Sequence, residues 1–137
     1  MSKEILSEKV SVNINTSTLS QIDLLVDNGY YSNRSDFINQ ALRTALDRNR
    51  STIDRLIEDG KKRVGTDHAW FLGISGYTAK EIEEMYANGE KTTVFGYGVF
   101  KIDRDCDAQK VFAVIEKINV RGKVICSPEI KKHYGVK

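Results

Sequence analysis

Residues 9–15 read K-V-S-V-N-I-N, and two further segments follow, L-S-Q-I-D-L-L-V at residues 19–26 and Y-S-N-R-S-D-F-I at residues 31–38. Apolar and polar side chains alternate in the first segment: Val10, Val12 and Ile14 on one face, and Lys9, Ser11 and Asn13 on the other. A period of two predicts a β-strand with one apolar and one polar face. At 40% hydrophobic and 29% charged residues, the 137-residue chain has the composition of an ordinary globular protein.

Two amphipathic helices are predicted after this strand. Asn15, Thr16 and Ser17 form a polar start for the first helix, and Gly29 ends it. Ser32 is a good N-cap for the second helix. The apolar positions repeat at helical spacing: Leu19, Ile22, Leu25 and Val26 in the first helix, and Phe37, Ile38, Ala41, Leu42, Ala45 and Leu46 in the second. The second helix either continues through Ile57 or breaks near Asn49 and Ser51.

The predicted strand has no mate in its own half of the chain. A lone strand cannot satisfy its backbone N–H and C=O groups. A second copy of the chain solves this problem, because two identical strands can pair antiparallel about a two-fold axis with four helices packed beneath them. The apolar strand residues of both chains then face the helices. The polar residues form an exposed two-stranded ribbon.

These segments together resemble the ribbon-helix-helix DNA-binding regulators, above all the CopG-like and nickel-regulator branch, with Arc and MetJ as more distant relatives. The resemblance covers residues 9–46, about a third of the chain. It implies that Lys9, Ser11 and Asn13 contact bases in the major groove, and that the helix start formed by Ser32, Asn33, Arg34 and Ser35 contacts phosphate. It implies a dimer core of Val10, Val12, Ile14, Leu19, Ile22, Phe37, Ile38 and Leu42.

The balance of charges limits the DNA affinity that we expect from this chain. Residues 1–50 contain as many acidic as basic side chains, and the whole chain carries a net charge of +2. Lys9 is the only cation among the three predicted base-contacting residues. We therefore expect weak nonspecific DNA binding, with specific affinity requiring two or more dimers side by side.

The second half predicts the order β-α-β-α-β-α. Strands are expected at residues 69–74, 92–102 and 120–126, with helices opened by Thr78 in a capping box with Glu81, by Asp105 or Asp107, and by Ser127-Pro128. The helix opened by Asp105 or Asp107 is expected to carry the apolar residues Val111, Phe112, Val114, Ile115 and Ile118. Gly96 and Gly98 suggest a bulge or a close backbone approach. A similarity between V-F-G-Y-G-V-F and V-R-G-K-V-I leaves open an internal repeat.

No pattern in the second half identifies a catalytic or metal site. Cys106, Cys126, His68 and His133 could converge on a metal, but they have no close-spaced pair, so no metal is predicted. Asp103, Asp105 and Asp107 begin like a calcium loop whose glycine and glutamate are missing, and a helix cap with solvated carboxylates is the better interpretation. Gly96-Tyr97-Gly98 lacks the rest of a phosphate-binding motif.

The sequence therefore predicts an α+β protein in three parts. Residues 1–50 form the ribbon-helix-helix domain, residues 51–65 a helical extension and linker that ends its helix at Gly60, and residues 66–137 a small α/β domain for oligomerisation or effector sensing. The predicted function is a non-enzymatic, cytoplasmic DNA-binding regulator without a cofactor, a repressor that acts as a homodimer or tetramer. The alternative is an antitoxin-like protein whose C-terminal half neutralises a partner protein. No membrane segment is predicted.

Overall fold

The computed structural model describes residues 7–65 and 68–136. These residues form six helices and three strands, so the α+β prediction is confirmed. The chain divides into two compact units, with the boundary between Leu56 and Ile57. Each unit is described by itself.

The first unit contains helices α1 (Thr16–Asp27) and α2 (Arg34–Arg48). Asn15 caps α1, as predicted from its polar start, because its side chain accepts hydrogen bonds from the Ser17 and Thr18 amides. Gly29 adopts a φ of 82° just after α1, and the Gly29 and Tyr30 amides donate back to the last turn. This Schellman arrangement explains the glycine, since few other residues tolerate that conformation.

The N-cap of α2 is Asn33, so the prediction of Ser32 was wrong. Asn33 has an extended backbone, and its Oδ1 accepts a hydrogen bond from the Asp36 amide at 2.8 Å. The Ser32 amide instead donates to Oδ2 of Asp36 at 3.0 Å. Both serine and asparagine favour this position, so only the backbone path could decide which of the two adjacent residues caps the helix.

Helix α3 (Arg50–Val64) follows after a one-residue interruption at Asn49. The predicted helix end at Gly60 was wrong, because α3 passes through Gly60 and stops before Gly65, which has a φ of 79°. Gly60 has a packing role. A Cβ atom there would lie 2.6 Å from Nε1 of Trp70, so only a glycine lets the helix approach this indole ring.

The second unit alternates strands and helices in the predicted order. Its elements are β1 (Ala69–Tyr77), α4 (Ala79–Ala87), β2 (Thr92–Ile102), α5 (Ala108–Val114), β3 (Ile115–Ile125) and α6 (Pro128–Tyr134). The three strands are parallel and neighbour one another in chain order. Each crossover is therefore a short βαβ unit. The capping box of Thr78 with Glu81 and the cap by Ser127 before Pro128 are confirmed, and Asp107 caps α5.

Two strand boundaries differ from the sequence prediction. β1 continues to Tyr77, and β3 begins at Ile115, directly after α5. Ile115 and Ile118, predicted on the helix, thus lie on β3, and both are buried. The spacing of Val111, Val114, Ile115 and Ile118 fits a helix period, but pairing with β2 overrides it.

One glycine from each strand shares a row across the sheet. Gly73 pairs with Gly98, which pairs with Gly122, and all three have positive φ angles of 105°, 126° and 143°. A Cβ atom on Gly98 would collide with the Gly73 carbonyl, and one on Gly122 with the Gly98 carbonyl. The predicted close approach at Gly98 is therefore present. The register places Gly98 of V-F-G-Y-G-V-F beside Gly122 of V-R-G-K-V-I, and an internal repeat stays a prediction.

The hydrophobic core of the second unit lies between one face of the sheet and its helices. The largest buried side chains come from both layers: Phe100, Ile102, Ile115 and Val94 from strands, and Ile82, Val111, Val114 and Ile130 from helices. Tyr134 closes the core, since its hydroxyl donates to the carbonyl of Ile115 at 2.6 Å and lies 3.2 Å from that of Val111. Among the described residues, no helix is both long and apolar enough to span a bilayer.

Candidate nucleic-acid interface

Within the described part of the chain, no strand pairs with the predicted ribbon segment. The β-strand predicted at residues 9–15 is absent from the single chain, where residues 7–15 carry no regular secondary structure, because a strand needs a hydrogen-bonding partner. The three strands of the described residues all lie in the second unit and pair with one another. Lys9, Ser11 and Asn13 are exposed, as base-contacting residues must be. Val10 is 76% exposed and Val12 71% exposed. Both valines are therefore open to water in the single chain, which is unusual for large apolar side chains.

The predicted dimer-core residues fall into three groups by their exposure. Ile22 is 5% exposed, and it is the one fully buried residue of the described part of the first unit. Ile14, Leu19, Phe37 and Ile38 are half-buried, while Val10, Val12 and Leu42 are exposed. Phe37 packs edge-to-face against Tyr31, with ring centroids 4.9 Å apart. A unit with one fully buried side chain lacks the apolar burial that normally offsets folding entropy.

The start of α2 presents amides toward solvent. The Asp36 amide is capped by Asn33, and the Phe37 amide donates to the Asn33 carbonyl at 3.2 Å. No partner for the Arg34 and Ser35 amides is found in the described part of the chain. Two free amides at a helix N-terminus, where the dipole is positive, can bind an anion.

The Arg34 guanidinium, predicted to contact phosphate, is held by a carboxylate of α1. Its Nε and Nη2 donate to Oδ1 and Oδ2 of Asp23, both at 2.8 Å. This hydrogen-bonded pair lowers the pKa of Asp23 below its ordinary value and raises that of Arg34. The pair ties α1 to the start of α2 and orients the arginine. The remaining N–H donors of Arg34 stay available for a second anion.

Asp36 adds a second carboxylate at the same place. Its pKa is lowered because the Ser32 amide donates to it, assisted by Gln40 and by the charge of Arg43. Sequence reasoning missed the roles of Asp23 and Asp36. The capping signal S/N-x-x-D at residues 33–36 could have indicated Asp36, whereas residues 23 and 34 are joined only by the turn between α1 and α2.

The four residues considered for a metal do not form a site in the structure. Cys126 is buried, Cys106 is partly buried, and burial raises the pKa of both thiols. His133 stacks on Phe112 with ring centroids 3.8 Å apart, and His68 meets the edge of Phe95. Residues 7–65 and 68–136 contain no cluster of three or more potential metal ligands.

Comparison with known families extends the resemblance seen in the sequence. A family model described as the Ribbon-Helix-Helix transcriptional regulator family matches residues 5–131. The match thus runs through the second unit, whereas sequence reasoning placed the resemblance in residues 9–46 alone. Comparisons with curated proteins and with solved structures gave no significant match.

Proposed function

Because the chain belongs to the ribbon-helix-helix transcriptional regulator family, whose model spans residues 5–131, we propose that it is a sequence-specific repressor that binds operator DNA as a homodimer. The observation that supports this most directly is the ribbon segment. Val10 and Val12 are exposed in the single chain, beside the polar side chains of Lys9, Ser11 and Asn13.

Pairing of two such segments would place the valines over the helices of both chains. Full burial of a valine side chain contributes about 1.5–3 kcal/mol. The same pairing would bring Lys9, Ser11 and Asn13 of each chain to the outer face of a two-stranded ribbon, which the major groove of B-DNA can accommodate. Asn13 suits a bidentate contact to adenine, Lys9 suits guanine acceptors or phosphate, and Ser11 accepts several bases.

Phosphate contacts would set the register of the ribbon on the duplex. These phosphate contacts would come from the start of α2: the amides of Arg34 and Ser35, the side chains of Ser32 and Asn33, and the remaining N–H donors of Arg34. The carboxylates of Asp23 and Asp36 lie at the same helix start and oppose any phosphate there. Nonspecific affinity should therefore be low, and neighbouring dimers would raise the affinity for an operator with repeated half-sites.

Selection of DNA from a random pool by the purified chain tests sequence specificity and yields the half-site spacing. The Asn13→Ala variant should then lose about 1–3 kcal/mol of binding free energy at the selected site. Asn39→Ala is the matched control, because it removes an exposed amide on α2 outside the predicted interface. Fluorescence anisotropy at one fixed salt concentration measures both variants. Equal affinity of the Asn13→Ala variant and the wild type would remove Asn13 from the base-contacting set.

Repression, effector sensing and partner binding are finer parts of the proposal. Repeating the selection with candidate metals and metabolites tests whether the second unit senses a ligand. Reporter transcription from a promoter carrying the selected site distinguishes repression from activation. In the antitoxin-like alternative, a second protein would copurify with the chain and bind its C-terminal half.

A further inference from the structure

Strand β1 forms an open edge of the sheet. It is hydrogen-bonded to β2 on one side, and among the described residues no strand lies along its other side. A Cβ atom built on Gly73, at the middle of β1, meets no atom within 4 Å. An open edge carries N–H and C=O groups that can pair with another strand.

The two edges of this sheet differ in charge. β3, the opposite edge, carries four charged side chains: Glu116, Lys117, Arg121 and Lys123. β1 reads A-W-F-L-G-I-S-G-Y and carries none over nine residues. Charged side chains on an edge strand discourage pairing with other chains. The sheet is therefore protected along β3 and unprotected along β1.

The sheet face turned away from the core is also apolar beside β1. Leu72 is 54% exposed and Ile74 is 49% exposed. The buried residues of α4, α5 and α6 pack on the opposite face, with Phe71 and Phe100. Gly60 of α3 reaches Trp70, but Leu72 and Ile74 remain open to solvent.

Two copies of β1 that run antiparallel to one another have side chains of complementary size at facing positions. If two copies overlap fully and run antiparallel, the central residue of the strand, Gly73, lies opposite itself. Each large side chain then faces a smaller or matching one: Trp70 faces Gly76, Phe71 faces Ser75, Tyr77 faces Ala69, and Leu72 faces Ile74. Such pairs on one face are the units that stabilise a sheet.

We propose that the second units of two copies of this chain associate by antiparallel β1–β1 pairing about a two-fold axis at Gly73, forming one continuous six-stranded sheet. The contact is isologous, as in most symmetric dimers. A strand added to a parallel sheet in this way gives the mixed sheet found in many α/β proteins. The proposal does not depend on DNA binding, so it is tested on the full-length chain without DNA.

The test uses two double variants that add the same charge. L72K/I74K places lysines opposite lysines across the proposed two-fold axis, which should break the pairing. Y97K/V99K is the matched control, because Tyr97 and Val99 are the register partners of Leu72 and Ile74 on the central strand. Tyr97 is also 54% exposed, but it does not lie on the edge.

Residue-resolved hydrogen exchange across residues 69–77 measures pairing directly, even if the first units hold the dimer together. In the wild type, amides on both sides of β1 should be protected. In L72K/I74K, the amides that do not bond to β2 should exchange roughly tenfold faster or more, while Y97K/V99K should match the wild type. The single variant Leu72→Lys, with a smaller effect in the same direction, replaces the double variant if the latter fails to fold.

Three outcomes would overturn the proposal. Rapid exchange of the outward β1 amides in the wild type would mean that the edge is free. Unchanged exchange in a folded L72K/I74K variant would mean that β1 is protected by something else. An equal effect of Y97K/V99K would assign the contact to the exposed face of the sheet instead of its edge.

Discussion

Replacing Gly98 by alanine should destabilise the second unit much more than replacing Gly73. Both glycines lie in the same row of the sheet and have positive φ angles, 126° and 105°. Either alanine would therefore carry backbone strain of about 1–3 kcal/mol. In Gly98→Ala, the new Cβ would also collide with the Gly73 carbonyl, whereas in Gly73→Ala it would meet no atom within 4 Å.

The collision adds a second cost to the Gly98→Ala variant. Forcing a methyl group into closely packed structure costs about 1–3 kcal/mol. The total for Gly98→Ala is therefore about 2–6 kcal/mol, a large part of the roughly 5–15 kcal/mol by which a domain is stable. Gly73→Ala should lose only the strain. Since the colliding atom is backbone, a change of side-chain rotamer cannot relieve the clash.

Urea unfolding followed by tryptophan fluorescence measures the difference. Trp70 is the only tryptophan of the chain and lies on β1, so its emission reports on the second unit. Measurements at several protein concentrations separate intrinsic stability from association. Equal losses of unfolding free energy for Gly98→Ala and Gly73→Ala would refute the reasoning, because the strand contact would then contribute nothing.

Three further predictions concern individual contacts. Burial raises the pKa of Tyr134 to about 12 from 10.0, so its contribution to the free energy of unfolding is complete below pH 10 and is lost as the pH rises toward 12. Tyr134→Phe should lower the free energy of unfolding by about 1 kcal/mol at pH 7. In thermal melts, the variant should also lose less stability at alkaline pH than the wild type. Because the pKa of Asp23 is lowered in the folded state, ionised Asp23 stabilises the fold above its ordinary pKa, and this stabilisation is lost as the pH falls through the folded-state pKa. Asp23→Asn should therefore make the stability of the fold depend less on pH in the acid range. Arg34→Ala should reduce the dependence of DNA affinity on salt concentration. Gly60→Ala should shift Trp70 emission, because its methyl group would press on the indole; unchanged emission and stability would contradict the close approach.

Local signals in the sequence predicted most elements correctly. Asn15, Thr78 and Ser127 each cap the helix that they were expected to open, and the β-α order of the second unit follows from alternating periods and glycine stops. These signals work because a cap or an amphipathic period depends on residues within one or two turns. The period of two separates the polar from the apolar residues of the ribbon segment, whereas the DNA contacts of the polar residues are implied by the family resemblance and remain predictions.

Other features depended on contacts between distant residues. Ile115 and Ile118 have helical spacing, yet they belong to β3 because pairing with β2 and burial in the core outweigh a short helix period. Gly60 resembles a helix end until Trp70 is placed against it. Arg34 resembles a free cation until the turn between α1 and α2 brings it to Asp23.

The sequence by itself determined the order of strands and helices in the second unit and the places where most helices begin. That residues 9–15 pair with a second copy of the chain remains a prediction. Tertiary structure decided which carboxylates surround the start of α2, where β3 begins, and why glycines align across the sheet. The physical reason is the range of the interactions. Caps and periodicity act along a few neighbouring residues, whereas ion pairs, strand register and steric exclusion arise only when the fold brings separate segments together.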